Sequence, residues 1–219
     1  PGRSFGRFPV PMDALAIHPG KFVAGISVAK SKLGVLPLLS SAVDDDKAPA
    51  AILFGGYGSR PGLFHDLVAI AATVDGRLLT LESDSTSAAL AGAAARVQAV
   101  DPYGNPVNAF AGSTSSVFSL KAETSSVTYL DVGVESQGYV YVLKYLGDGS
   151  AASDYLLDIY QPDGTFLTQT SGIAAARLAV SLWRDVYTLN YEMVADADRT
   201  QPSVSWWIPS VPATATRGT

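Results

Sequence analysis

The 219-residue sequence predicts an all-β protein, a β-propeller of about four recognisable four-stranded blades, standing either as a small closed ring or as an arc of a larger one. Three observations predict it. Apolar residues alternate at a period of two between turn residues. No apolar run reaches the length of a membrane-spanning helix. The same order of strands and turns is written several times along the chain, roughly every 40–50 residues, which is the repeat of a propeller blade.

The first unit, 1–56, is the least regular. Residues 14–17 (ALAI) and 22–28 (FVAGISV) read as strands joined at His18-Pro19-Gly20, with the remaining strands between Leu33 and Phe54. The second unit, 57–112, is the clearest. Residues 67–71 (LVAIA) alternate, Asp75-Gly76 marks a tight turn because glycine supplies its positive φ, and 77–82 (RLLTLE) return. A Ser/Ala-rich connection leads to 96–100 (RVQAV), the turn Asp101-Pro102-Tyr103-Gly104-Asn105-Pro106, and a fourth strand at 107–110. The third unit, 113–170, repeats this order with strands at 129–134, 139–144, 155–160 and 165–168, turning at Gln137-Gly138 and at Gln161-Pro162-Asp163-Gly164. In the fourth unit, 171–212, strands at 177–180 and 186–191 flank Arg184-Asp185, and 204–209 follows. Little strand character remains after Pro209, so this last unit lacks an outer strand. Residues 4–8 (SFGRF) are the candidate to supply it and close the ring; otherwise an open edge remains, and open edges invite pairing.

The second unit resembles NHL-type propeller repeats. The resemblance rests on the lead-in Gly62-Leu63-Phe64, the first strand Val68-Ala69-Ile70, the second Gly76-Arg77-Leu78-Leu79-Thr80-Leu81, and the third Arg96-Val97-Gln98-Ala99-Val100-Asp101 with Gly104. Gly6-Arg7-Phe8 before Leu15-Ala16-Ile17 resembles the same lead-in, whereas the third unit has no Arg on its third strand and the fourth is degenerate. The resemblance implies a propeller, with Phe64 anchoring its blade on the neighbour. A fold of this kind does not fix a function.

Composition narrows the partners. Hydrophobic residues make up 47% and charged residues 16%, too apolar for disorder and lightly charged for a freely soluble monomer. A net charge of −5 with scattered Lys and Arg speaks against nucleic acid, and no segment suggests membrane insertion. With no cysteine there is neither a disulfide nor a thiolate site, and an extracellular or surface-associated setting is slightly favoured. The chain begins at Pro1, which reads as a processed product or part of something longer.

The chemical motifs are sparse. Gly56-x-Gly58 opens a dinucleotide-type loop, but Pro61 breaks the spacing and a strand follows instead of a helix, so an inter-blade connection is expected. The two histidines, His18 and His65, read as partly exposed loop residues, and no nucleophile elbow is present. Asp44-Asp45-Asp46 reads as a solvated run. Neither a catalytic residue, a metal ligand nor a cofactor is assigned. The expected function is a non-catalytic structural or protein-interaction module in a larger assembly, its partner another protein or itself. The alternatives are a metal-dependent hydrolase of lactonase type, for which Glu82, Glu135, Asn190 and Glu192 would have to converge, and a glycan-binding propeller. Trp206, Trp207, Tyr191 and Tyr141 are the candidate interaction residues. Alternation places Tyr139 and Tyr141 on one face of their strand, and Trp206 and Trp207 on opposite faces of theirs.

Overall fold

The computed structural model describes residues 3–37, 39, 41–90, 92–193 and 200–208, the side chains of 3, 191–193, 200 and 201 excepted. Its strands are β1 (Arg3–Ser4), β2 (Ala14–His18), β3 (Phe22–Ser27), β4 (Lys32–Pro37), β5 (Val43–Asp44) and β6 (Ile52–Phe54). They continue as β7 (Leu67–Ala72), β8 (Leu78–Glu82), β9 (Arg96–Val100) and β10 (Val117–Ser119), then β11 (Val127–Val134), β12 (Val140–Leu146), β13 (Tyr155–Tyr160) and β14 (Phe166–Ser171). The last are β15 (Arg177–Val180), β16 (Val186–Met193) and β17 (Thr200–Trp207).

The large sheets are antiparallel meanders, β2-β3-β4-β6, β7-β8-β9-β10, β11-β12-β13-β14 and, among the described residues, the three-stranded β15-β16-β17. They are arranged as the blades of a β-propeller. Two local expectations are corrected. Residues 107–110 are not the outer strand of the second blade: Val107 and Phe110 sit in a looped-out segment, and the chain comes back to pair Val117–Ser119 with β9, carrying this blade beyond residue 112. Nor does the N-terminal segment close the ring. Arg3 and Ser4 pair with Asp44 and Val43, and Arg7 bridges Ala50, so this segment lies along the first blade.

A five-residue turn is reused at the first hairpin of the blades. In Thr73–Arg77, Glu135–Tyr139 and Ser181–Asp185 the first N–H bonds the last carbonyl, and the fourth N–H bonds the first carbonyl. The first residue also supplies a side-chain acceptor for the last N–H: Thr73 for Arg77, Glu135 for Tyr139 and Ser181 for Asp185. The fourth position has positive φ, filled by Gly76 (φ 89°), Gly138 (φ 89°) and, at the cost glycine avoids, Arg184 (φ 73°).

That shared turn fixes the register in which the inner strands can be compared. Three carry a large–small–large triplet, Leu15-Ala16-Ile17, Val132-Gly133-Val134 and Leu178-Ala179-Val180, and the second blade has Ile70-Ala71-Ala72 at the same positions. Because side chains alternate across a strand, the outer members face one neighbouring blade and the small one faces the other. Ile70 and Ala72 join Leu67 and Phe64 against Ala24, Ile26, Leu33 and Val35 of the first blade. Val132 and Val134 pack on Ala69, Ala71, Leu79 and Leu81 of the second, and Leu178 and Val180 on Tyr139, Tyr141, Leu143 and Ile159 of the third. The small residue gives the following blade room. A Cβ on Gly133 would lie 2.5 Å from Val180 Cγ2 and 2.6 Å from Leu178 Cδ1. The Asp131 carboxylate reinforces that seam by accepting the Leu178 N–H at 2.9 Å.

Packing therefore runs from blade to blade through β2–β7, β7–β11 and β11–β15. Among the described residues no comparable packing joins the fourth sheet to the first. The described residues form an open arc.

Replacing Gly133 with Val inserts three carbons against Leu178 and Val180, and overpacking of this kind costs about 1–3 kcal/mol. Urea unfolding should show that loss as a lowered midpoint; an unchanged midpoint would mean the third and fourth blades do not meet as described.

Candidate interaction surface

Between the blades, charged side chains are engaged in holding the chain's own connections. Ser27, Glu82, Lys144 and Asn190 occupy the same register position on their second strands. Glu82 is fully buried and accepts hydrogen bonds from Arg96 Nη2 (2.9 Å), the His65 N–H (2.9 Å) and Gln98 Nε2 (3.3 Å). Arg96 also donates to the carbonyls of Ser59 and Leu63, and Gln98 Oε1 accepts the Gly62 N–H at 2.6 Å. The glycine-rich connection thus offers carbonyl oxygens to a guanidinium, the reverse of a phosphate loop, in which converging N–H groups meet an anion. Burial pushes the Glu82 carboxyl above its ordinary range, while Arg96 pulls the other way.

The third blade repeats the device with the charges exchanged. Lys144 Nζ, fully buried, donates to Asp158 Oδ2 at 2.5 Å and to Glu123 Oε1 at 2.9 Å, and Glu123 belongs to the connection leading into that blade. Gln169 Nε2 bridges the two carboxylates at 2.8 and 2.9 Å, and Lys121 adds a second ammonium on Glu123 at 2.9 Å. Burial raises the Glu123 pKa, but the hydrogen bonds from Lys144, Lys121 and Gln169 together outweigh it and hold the carboxyl at about 2.

Both histidines are buried, which corrects the expectation of partly exposed loop residues. His18 Nδ1 accepts the Gly20 N–H, leaving Nε2–H to donate to the Gly76 carbonyl at 2.6 Å, so the ring staples the first turn of one blade to that of the next. His65 lies 3.8 Å from Glu82, and burial followed by the Arg96 charge holds its imidazole below the ordinary value and neutral.

Of the four residues that a central metal would need, Glu82 and Glu135 are held apart. Glu82 is at the end of β8 remote from the first turn, whereas Glu135 begins the turn itself, a separation of about 15 Å along the strands. Asn190 lies on β16 and has a partner already; the side chain of Glu192 lies outside the described residues. Among the described residues no group of His, Asp and Glu is placed to hold a metal ion. Glu135 sits in the seam between a cavity of about 320 Å³ at the second and third blades and a groove of about 420 Å³ at the third and fourth. Its carboxylate lies 3.7 Å from Arg184, which also stacks 4.5 Å from the Tyr139 ring and donates to Gln137 at 2.5 Å. These groups answer one another across the blade junction.

The aromatic candidates separate into three environments. Tyr141 is fully buried between the third and fourth blades, where alternation puts it beside Tyr139, and so is absent from the surface. Trp207 turns toward the third blade and donates from Nε1 to Thr188 Oγ1 at 2.9 Å. Trp206 points the opposite way, opposite Tyr187 in the ladder. Tyr191 is on β16, and its side chain lies outside the described residues. Trp206, Tyr187, Leu189, Val204 and Ala179 share the outward face of the fourth blade, and Ile208 follows, also exposed. Arg177, at its margin, is the charged residue among the described side chains of this face, donating to the Leu130 and Ala176 carbonyls. Among the described residues this apolar sheet face is left exposed.

Two outcomes check the buried clusters. Arg96→Met leaves Glu82 buried without its cation and should cost about 3–5 kcal/mol in chemical denaturation. Adding Glu82→Leu should recover part of the loss, and a double variant no better than the single one would contradict the pairing. For Glu123 the folded pKa of about 2 lies below the ordinary 4.5, so its stabilisation is complete above about 4.5 and disappears as pH falls toward 2. The difference in melting temperature between the protein and Glu123→Gln should shrink across that window; a constant difference would show that Glu123 is not held ionised.

No family model matches the chain, and no curated protein matches it.

Proposed function

We propose that the protein is a non-catalytic β-propeller with NHL-like blades that serves as a structural or protein-interaction module in a larger assembly. The observation that carries this reading is the outward face of the fourth blade, where Tyr187, Val204 and Trp206 are exposed together. Burial of large aromatic side chains is what dominates association energy, and Trp and Tyr are the residues most often found at its centre. The engagement of Glu82, Arg96, Lys144, Asp158 and Glu123 with one another supports the same reading, since a buried ion pair that fixes a connection is not free for proton transfer.

Metal analysis of the purified protein, with a lactone and ester screen, tests the non-catalytic part. The expected result is no stoichiometric metal and no turnover. Metal-dependent turnover lost in Glu135→Gln would establish the hydrolase instead, and glycan-array binding lost in Trp206→Ala would establish the glycan reader.

A further inference from the structure

The two ends of the arc are the two halves of the interface that the chain already uses three times. Consider first the face that each blade presents to its successor. The second-strand position filled by Tyr187 in the fourth blade is filled by Ala24, Leu79 and Tyr141 in the first three. The third-strand position of Trp206 corresponds to Val35, Ala99 and Ile159, and that of Val204 to Leu33, Val97 and Leu157. All nine of those counterparts are buried, whereas Tyr187 is 42%, Val204 70% and Trp206 61% exposed. Ala179 leaves the same gap at this face that Ala16, Ala71 and Gly133 leave at the others.

The face that each blade presents to its predecessor is uncovered in the first blade. Leu15 and Ile17 are the outer members of its triplet, and their counterparts at the first of these positions, Ile70 and Val132, are buried between blades. Leu15 is 60% and Ile17 80% exposed. The rest of this face is already dressed as an interior one. In the second and third blades an incoming connection covers the outer part of the predecessor-facing side. In the first blade the N-terminal arm does so, with Phe8 and Met12 against Gly34, Met12 against Gly25 and Leu36 beneath Gly6. Leu15 and Ile17 remain as the inner strip that would meet a preceding blade.

We propose that these ends pair between two copies of the chain, the fourth blade of each receiving the first-blade strand of the other, to close a ring of eight blades. This rests on the interaction-module reading and names its partner as a second copy. Continuity with the three internal interfaces supplies the contact chemistry. Two four-bladed arcs joined head to tail place both unlike contacts around one two-fold axis, so no end is left free, and eight blades lie within the usual range of about 4–8. An unlike contact that failed to close would instead propagate as a filament.

Light scattering during size exclusion, across a dilution series, tests the pairing. The expected particle has twice the 22.8 kDa mass of one chain. Ile17→Asp and Trp206→Lys each alter an exposed side chain, so the monomer should fold as before by circular dichroism while its dissociation constant rises by at least about tenfold. Mixing the two variants restores one unaltered contact per pair, and the mixture should associate more strongly than either variant alone. A monomer at every concentration, a filament, or a dimer indifferent to Ile17→Asp (as expected if fourth blades met each other) would overturn the proposal. A monomer without hydrolase activity would leave the non-catalytic reading standing, whereas a two-copy ring that turned over lactones would overturn that reading and keep this one.

Discussion

The blades hold together where one inner strand lies against the next, with large side chains toward the preceding blade and a small one toward the following blade. Close packing leaves little latitude in such a contact, because a methyl group too many or too few is felt directly. Gly133 shows the limiting case, its missing Cβ being the space into which Leu178 and Val180 fit. Neighbouring features support this contact. The shared turn sets the register of the triplets, the Asp131 carboxylate fixes the third strand set to the fourth, and His18 ties the turns of the first two blades.

Between successive inner strands the chain must travel from the outside of one blade to the inside of the next, and the buried ion pairs solve that problem. In the second blade Arg96 binds carbonyls of the connection itself, and Glu82 neutralises the guanidinium. In the third, Lys144 reaches a carboxylate carried by the connection, with Asp158 as its partner. Opposite charges at the same register position therefore do the same mechanical task. The cluster is specified by the requirement that each buried charge be paired and hydrogen-bonded, which fixes geometry more than it adds stability.

The repeated turns and alternating strands were legible because they are local. Gly76 and Gly138 mark positive-φ positions, and the inner strand of the fourth blade falls at the expected residues. Phe64 is buried between the first two blades, where it was expected to anchor. Failures came where tertiary contacts override local pattern. The apolar run 107–110 reads as a strand, yet Phe110 turns into the core beside Phe118 from a loop, while Val117–Ser119 takes the ladder. His18 and His65 stand beside turn residues, and nothing local shows that a neighbouring turn or a buried carboxylate closes over each. Of the aromatic set, alternation separates Trp206 from Trp207, but only the placement of whole blades distinguishes Tyr141, between two sheets, from Tyr187, at the equivalent position with no sheet beyond it among the described residues. The ends of the arc were invisible for the same reason, since Leu15 and Ile17 look like any other inner-strand residues.

The chain has no cysteine, so a single introduced thiol reports one position without background. Leu15→Cys, Ile70→Cys and Val132→Cys place it at the same triplet position in three successive blades. In protein dilute enough to keep single copies apart, the thiol at 15 should be modified almost as fast as in the unfolded chain. Those at 70 and 132 should react only through unfolding. Equal protection at all three positions would show that a blade already covers the first inner strand, and would contradict the open arc.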